Sequence, residues 1–201
     1  MLDFEFEYFN NGIRFIAGVD EAGRGPLAGP VCTAAVIMPL EENKLIPEIN
    51  DSKKLTEKKR EALYDKIIST ALAYKIVLID EKTIDQVNIL NATKQGMKEA
   101  ILGLNIKPEL VLLDAVTLDL DLESESIIKG DAKSYNIAAA SILAKVTRDR
   151  LMLELDKIYP EYNFKKHKGY GTKEHIENLK KYGKCAIHRE SFIKNFVGNN
   201  E

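Results

Sequence analysis

Four short apolar runs, at 14–20, 31–38, 74–80 and 109–114, punctuate the chain, and three of them stop on an acid, at Asp20, Asp80 and Asp114. Runs this short, rich in β-branched or small residues, fit strands. The segments between them must then supply helical covers. Residues 56–70 put Leu63, Ile67 and Ile68 at helical spacing behind Thr56 as N-cap, with Lys and Arg on the other face, and so read as a surface helix. A Gly- and Pro-rich turn joins the first two runs as an antiparallel pair. A helical pattern at 89–104 lies between the third and fourth runs, which makes them a βαβ unit with parallel strands. A last strand at 126–129 precedes 134–159, a stretch without Pro or Gly that reads as one long helix ended by Pro160. The fold class is therefore α/β.

A chain of 201 residues that is 45% hydrophobic can bury one sizeable core, so residues 1–201 are expected to form a single domain. Its core would span about 13–160, with a basic C-terminal helical segment at about 161–201 that holds nine Lys or Arg and all three histidines. Residues 1–8 alternate acidic and aromatic side chains, unlike a signal or transit peptide. No apolar stretch approaches membrane-spanning length. Cys32 and Cys185 lie far apart, without the spacing of a disulfide framework or zinc knuckle, which fits a reducing cytoplasm. The net charge of -2 means that nucleic-acid binding would need a local basic patch.

Asp20 and Glu21 end one apolar strand, Asp114 ends another, and Asp131 sits between the last strand and the long helix. Strand ends are where α/β folds place chemistry, so the four acids can converge. Clustered carboxylates repel one another unless a cation compensates them, and oxygen-only ligands suit Mg²⁺ or Mn²⁺. Two such ions about 4 Å apart are a known solution for phosphodiester hydrolysis. Taken singly, each Asp would be read as a turn former or helix cap; the combination outweighs that reading. Asp80-Glu81 has no glycine turn beside it and is assigned to helix capping.

The turn at 23–29 contains Gly23, Arg24 and Gly25, whose backbone can approach a ligand closely while Arg24 holds a phosphate. Gly23, Gly25 and Ala28 also match a dinucleotide-binding spacing, but Pro30 and a strand follow where a phosphate-binding helix should begin. Short basic loops carry Ser52 and Lys53, and His167, Lys168 and Tyr170, the last able to stack on a sugar or base. Cys185 with His188 could suggest a metal, but such pairs are usually incidental.

In order, Ala-Gly-Val-Asp20-Glu21-Ala-Gly23-Arg24-Gly25-Pro, Asp51-Ser52-Lys53-Lys-Leu, Asn91-Ala-Thr-Lys94, Leu-Leu-Asp114, Lys-Gly-Asp131-Ala-Lys-Ser134, Ala-Ala-Ser-Ile-Leu-Ala-Lys145 and His167-Lys168-Gly-Tyr170-Gly-Thr resemble the ribonuclease HII family. The likeness spans about 13–193. It implies a ribonuclease H-like fold, a central mixed sheet flanked by helices, with a C-terminal helical segment.

By motif position it implies that Asp20, Glu21, Asp114 and Asp131 are both catalytic and metal-binding, with two Mn²⁺ or Mg²⁺ ions. Substrate contacts would come from Gly23, Arg24, Gly25, Ser52, Lys53, His167, Lys168 and Tyr170. The Gly-Arg-Gly backbone would meet the 2′-hydroxyl at an RNA-to-DNA junction, and Tyr170 the neighbouring deoxyribose. The implied partners are RNA/DNA hybrid and ribonucleotide-containing duplex DNA, cut 5′ to the ribonucleotide to leave 3′-hydroxyl and 5′-phosphate ends. A monomer without membrane contact or a sliding-clamp-binding tail is expected.

Two departures from the family pattern, Ala115 and Gly171, touch loop shape rather than ligand identity. The rivals are ribonuclease HIII, which usually differs at the Arg24 position and carries an N-terminal substrate-binding domain, and a non-catalytic hybrid binder.

Overall fold

β1 (Ile16–Ala22), β2 (Val31–Ile37) and β3 (Ala73–Ile79) form an antiparallel meander, and β4 (Leu110–Asp114) and β5 (Ser124–Ile127) extend it beside β1 as parallel strands. The sheet order is β3-β2-β1-β4-β5 in the computed structural model, which describes residues 2–49 and 55–197. A mixed sheet flanked by helices is thus the architecture, as expected. The third and fourth strands do run parallel, but they are not neighbours. β2 already occupies one edge of β1, so β4 can pair only at the other, and the crossover passes over two strands.

Two helices cover the two faces. α4 (Ile89–Leu102) packs Met97, Ala100 and Ile101 on Val19, Ala35, Val111 and Leu113. α6 (Tyr135–Ile158) packs Ile137, Ala138 and Leu143 on Ile16, Ala34, Val36, Leu110 and Leu112. Each fully buried Ile or Leu of this kind stabilises the fold by about 1.5–3 kcal/mol. Ser134 caps α6 by accepting from the Ile137 amide, at 3.1 Å. α2 (Glu57–Thr70) starts at Thr56 and α3 (Glu81–Val87) at Asp80, whose carboxylate accepts from the Thr83 amide at 2.8 Å and is held below its ordinary pKa by that bond. None of the described helices is long and apolar enough to cross a membrane.

The N-terminal acidic and aromatic alternation conceals a helix, α1 (Asp3–Asn10). Its period of two suggests a strand, yet Phe4, Tyr8 and Phe9 pack against the α6-side core. Glu5 is buried beneath it, accepting from the Ser134 hydroxyl at 2.5 Å and the Asn136 amide at 2.9 Å; burial raises its pKa. After α6 the chain forms α7 (Phe164–His167), α8 (Lys173–Tyr182) and α9 (Glu190–Ile193). Tyr162 stacks on Phe164 at 5.2 Å, and both join Met152 and Ile187 in a separate apolar cluster.

Gly18 fixes how closely α6 lies on β1. A Cβ there would stand 2.1 Å from the Asn136 carbonyl carbon and 2.3 Å from the Ile137 nitrogen, and backbone cannot swing aside. Gly18→Ala is therefore expected to cost about 3 kcal/mol or more. Urea denaturation reads this directly, and an unchanged midpoint would contradict the packing described.

Candidate active site

Strand alternation assigns the faces of the acids. Ile16, Leu110 and Leu112 point to α6, whereas Val19, Val111 and Leu113 point to α4. Val19 is paired with Leu113, so Asp20 and Asp114 follow side by side at the carboxyl ends of two parallel strands, on the α6 side. Ser141 of α6 hydrogen-bonds to Asp20, whose Oδ1 also accepts from the Glu21 amide at 2.7 Å. Burial holds the Asp20 carboxyl well above its usual range, Glu21 and Asp114 add repulsion, and the Ser141 and amide bonds work the other way. Asp114 Oδ1 accepts from the Gly130 amide at 2.7 Å, which ties the end of β4 to α5 (Gly130–Lys133).

Asp131 is buried in the first turn of α5, next to that bond. The open cleft of about 280 Å³ is lined by Asp20, Glu21 and Asp114 but not by Asp131. Among the described residues, no three His, Cys, Asp or Glu side chains are gathered as a metal cage. The donor chemistry still fits a hard cation. Three carboxylates share one cleft, their charges raise the pKa of the buried Asp20, and no soft ligand is among them. Ala115, next after Asp114, holds φ +50°, a left-handed conformation that glycine adopts more readily.

The same cleft is lined by Gly23, Arg24, Gly25 and Tyr170. Arg24 Nη1 lies 3.4 Å from Glu21 Oε1. Tyr170 is 43% exposed, and its ring faces Gly25, where an added Cβ would sit 3.7 Å from Cε1. The loop at 23–30 is held from beneath by two buried guanidiniums. Arg148 of α6 donates to the carbonyls of Pro30, Lys168 and Ala28 at 2.9, 2.9 and 3.1 Å. Arg189 donates to those of Gly29, Arg24 and Gly23 at 2.9, 3.0 and 2.7 Å. Backbone bonds from Leu27 to Gly169 and from Arg189 to Leu27 pin both C-terminal loops to the same turn.

The remaining expected contacts fall differently. His167 does not line the cleft. Its ring is buried, with Nε2 2.8 Å from the Tyr162 carbonyl and Nδ1 accepting from the Gly169 amide at 3.2 Å, so it shapes the loop. Lys168 gives its carbonyl to Arg148, while its ammonium donates to the Lys165 carbonyl. Ser52 and Lys53 lie outside the described residues.

Three cleft residues escaped sequence reasoning as site residues. Arg60, on the Lys- and Arg-bearing face of α2 that reads as surface, lines the cleft. Ser141 and Lys145, four apart on α6, also line it; that spacing, set against a strand-end acid, is the signal that could have found them.

Two measurements test this geometry. Asp114→Asn should lower the Asp20 pKa, because a repelling charge is removed; carboxylate NMR titration in chelator reads it, and an unchanged or raised value would contradict the side-by-side placement. Arg189→Met leaves three carbonyls without their donor and should cost about 3 kcal/mol, with amide protection lost across 23–29 before the sheet. Thermal unfolding and hydrogen exchange check it.

A family model described as Ribonuclease HII matches residues 17–195. A ribonuclease HII of Acetivibrio thermocellus is 57% identical over 198 residues, covering 98% of this chain and 77% of that protein. The crystal structure of the ribonuclease H2 from Pyrococcus horikoshii OT3 superimposes with a TM-score of 0.75 at 31% identity, over 88% of this chain and 92% of that one. Bst-RNase HIII in complex with Mn²⁺ shares the fold at a TM-score of 0.61 and 18% identity, over 74% of this chain and 56% of that one. With strand-end carboxylates facing a glycine turn and a model match across nearly its whole length, the chain belongs to the ribonuclease HII family and is a ribonuclease H-type endonuclease.

Proposed function

We propose that this enzyme hydrolyses the RNA strand of RNA/DNA hybrids and cuts duplex DNA 5′ to an embedded ribonucleotide, leaving 3′-hydroxyl and 5′-phosphate ends. The observation that carries the reading is the pairing of Asp20 and Asp114 at adjacent strand ends with Gly23, Arg24, Gly25 and Tyr170 across one cleft.

Arg189 draws the Gly23 and Arg24 carbonyls inward. A trans peptide turns the next N–H the opposite way, so the Arg24 and Gly25 amides point away from the guanidinium. They are suited to a ribose 2′-hydroxyl and its phosphate, with Arg24 adding charge. The Tyr170 ring, opposite Gly25, would stack on the deoxyribose beyond the junction. A duplex lacking the 2′-hydroxyl leaves those amides unpaired, which is the source of discrimination.

Asp20, Glu21, Asp114 and Asp131 are the residues assigned to hold two Mg²⁺ or Mn²⁺ ions. Asp131 would join them through the α5 turn that Asp114 anchors. Bound divalent ions would supply Lewis-acid charge at the scissile phosphate and lower the pKa of attacking water. Ser141 orients Asp20, and Arg60 and Lys145 bring positive charge to the cleft. Lys168 is kept as a backbone-phosphate contact from the loop, whereas His167 is assigned to loop structure. The enzyme is further proposed to act as a cytoplasmic monomer, with 161–197 docked on the core as part of one domain.

A labelled duplex with one ribonucleotide, incubated with Mg²⁺, Mn²⁺ or chelator, tests the proposal. Cleavage on the 5′ side is expected with metal only, falling roughly 10²-fold or more in Asp20→Asn or Asp131→Asn. Binding of the duplex without cleavage in either metal would replace the enzyme reading with that of a hybrid binder.

A further inference from the structure

Behind Tyr170, outside the cleft, the buried His175 and His188 and the half-buried Cys185 form a line whose protons can be assigned from geometry. His175 Nδ1 lies 2.9 Å from the Tyr170 carbonyl. A carbonyl only accepts, so Nδ1 carries the proton and the neutral ring leaves Nε2 bare. That Nε2 is 3.1 Å from His188 Nε2, which must therefore donate. His188 Nδ1 is then the acceptor for the Cys185 amide at 2.9 Å and the Cys185 thiol at 3.1 Å. One arrangement satisfies every contact, and it runs one way, from thiol to carbonyl.

We propose that the neutral Cys185–His188–His175 chain is a positioning device that holds Tyr170 against the cleft and releases it on protonation, a proposal that rests on reading Tyr170 as a substrate contact. A proton added to His175 sets N–H against N–H across the 3.1 Å contact, and one added to His188 sets N–H against the Cys185 amide. The Tyr170 carbonyl also accepts from the Thr172 amide at 2.8 Å, so the whole turn follows His175.

The surroundings favour the uncharged form. The Tyr162 and Phe164 rings pack on His188 and His175 at 4.9 and 5.4 Å, and His167 stacks on His175 at 4.6 Å. Burial raises the Tyr162 hydroxyl to about 12 and the Cys185 thiol to about 11, with Glu161 acting on both and Glu81 on Cys185. Burial lowers His175 and His167, the latter also facing Glu174, Lys166 and Asp156. Burial and then His175 push His188 down to about 4. The Arg148 guanidinium lies 5.9 Å from the Tyr170 ring centroid. Because the folded pKa values lie below those of an unfolded chain, this contribution is complete above 6.5 and is lost as pH falls from there toward 4.

The test combines two readouts. Long-range ¹⁵N NMR should find the Nδ1–H tautomer at His175 and the Nε2–H tautomer at His188; the reverse assignment overturns the proposal. Affinity for a ribonucleotide-containing duplex, held uncleaved in Ca²⁺, is compared at about pH 7.5 and about pH 5. The wild type should weaken roughly fivefold or more relative to His188→Gln, whose side chain cannot titrate and whose amide can donate to neutral His175 or turn its oxygen to a protonated one. Tyr170→Ala should be weak at both values. Unchanged or tighter wild-type binding at the lower pH, the effect of added positive charge alone, overturns the device. Should Tyr170→Ala bind normally, the substrate role of Tyr170 fails separately. The device is then decided by the Thr172 amide, whose protection must fall at the lower pH in the wild type but not in His188→Gln.

Discussion

Two arginines with almost no exposed surface, Arg148 at 1% and Arg189 at 0%, hold the catalytic side of this enzyme together. Burial weakens both as bases, Arg189 to about 9, yet each remains a cation at neutral pH. Burying a charge this deeply is tolerated only when its donors are satisfied. Here six carbonyls do so, five from 23–30 and one from Lys168. Carbonyl dipoles spread over a loop hold the whole loop rigid, whereas a single carboxylate partner would fix one point. Gly23 completes the arrangement: with φ +95°, a Cβ there would meet Arg148 Nε at 2.0 Å.

The carboxylates are placed by a different constraint, the register of the sheet. Pairing Val19 with Leu113 is enough to bring Asp20 beside Asp114, and alternation turns both toward α6. Gly18 lets α6 rest directly on β1, which brings Ser141 within reach of Asp20. Acid geometry and loop geometry thus share one scaffold, because α6 carries both Ser141 and Arg148.

The strands and main helices were legible because hydrophobic period is local; Thr56 and Asp80 occupy their N-caps as read, and Ser134, where the long helix was expected to begin, caps it. The position of β4 was not legible from the βαβ pattern, since strand order depends on which edge is already taken. α1 was hidden because a two-residue alternation arises by chance in so short a segment. That Asp20, Glu21 and Asp114 meet in one cleft was readable from strand ends. Arg60 was not, because which face of a helix turns to the cleft is settled by packing, and Ser141 left only its spacing from Lys145 as a signal. His167, read as a substrate contact, has the composition of a binding loop but the hydrogen bonds of a buried brace.

The bond from Arg189 to the Gly23 carbonyl spans 166 positions of sequence. During synthesis the sheet residues of β1 and β2 emerge early, but the glycine turn between them cannot take its final shape until Arg189 follows. A partly made chain therefore carries the acids without the turn that would seat a nucleic acid beside them. Emergence of the segment that carries Arg189 is itself the step that shapes the turn, and a chain cut before it would lose its geometry at a loop 166 positions away.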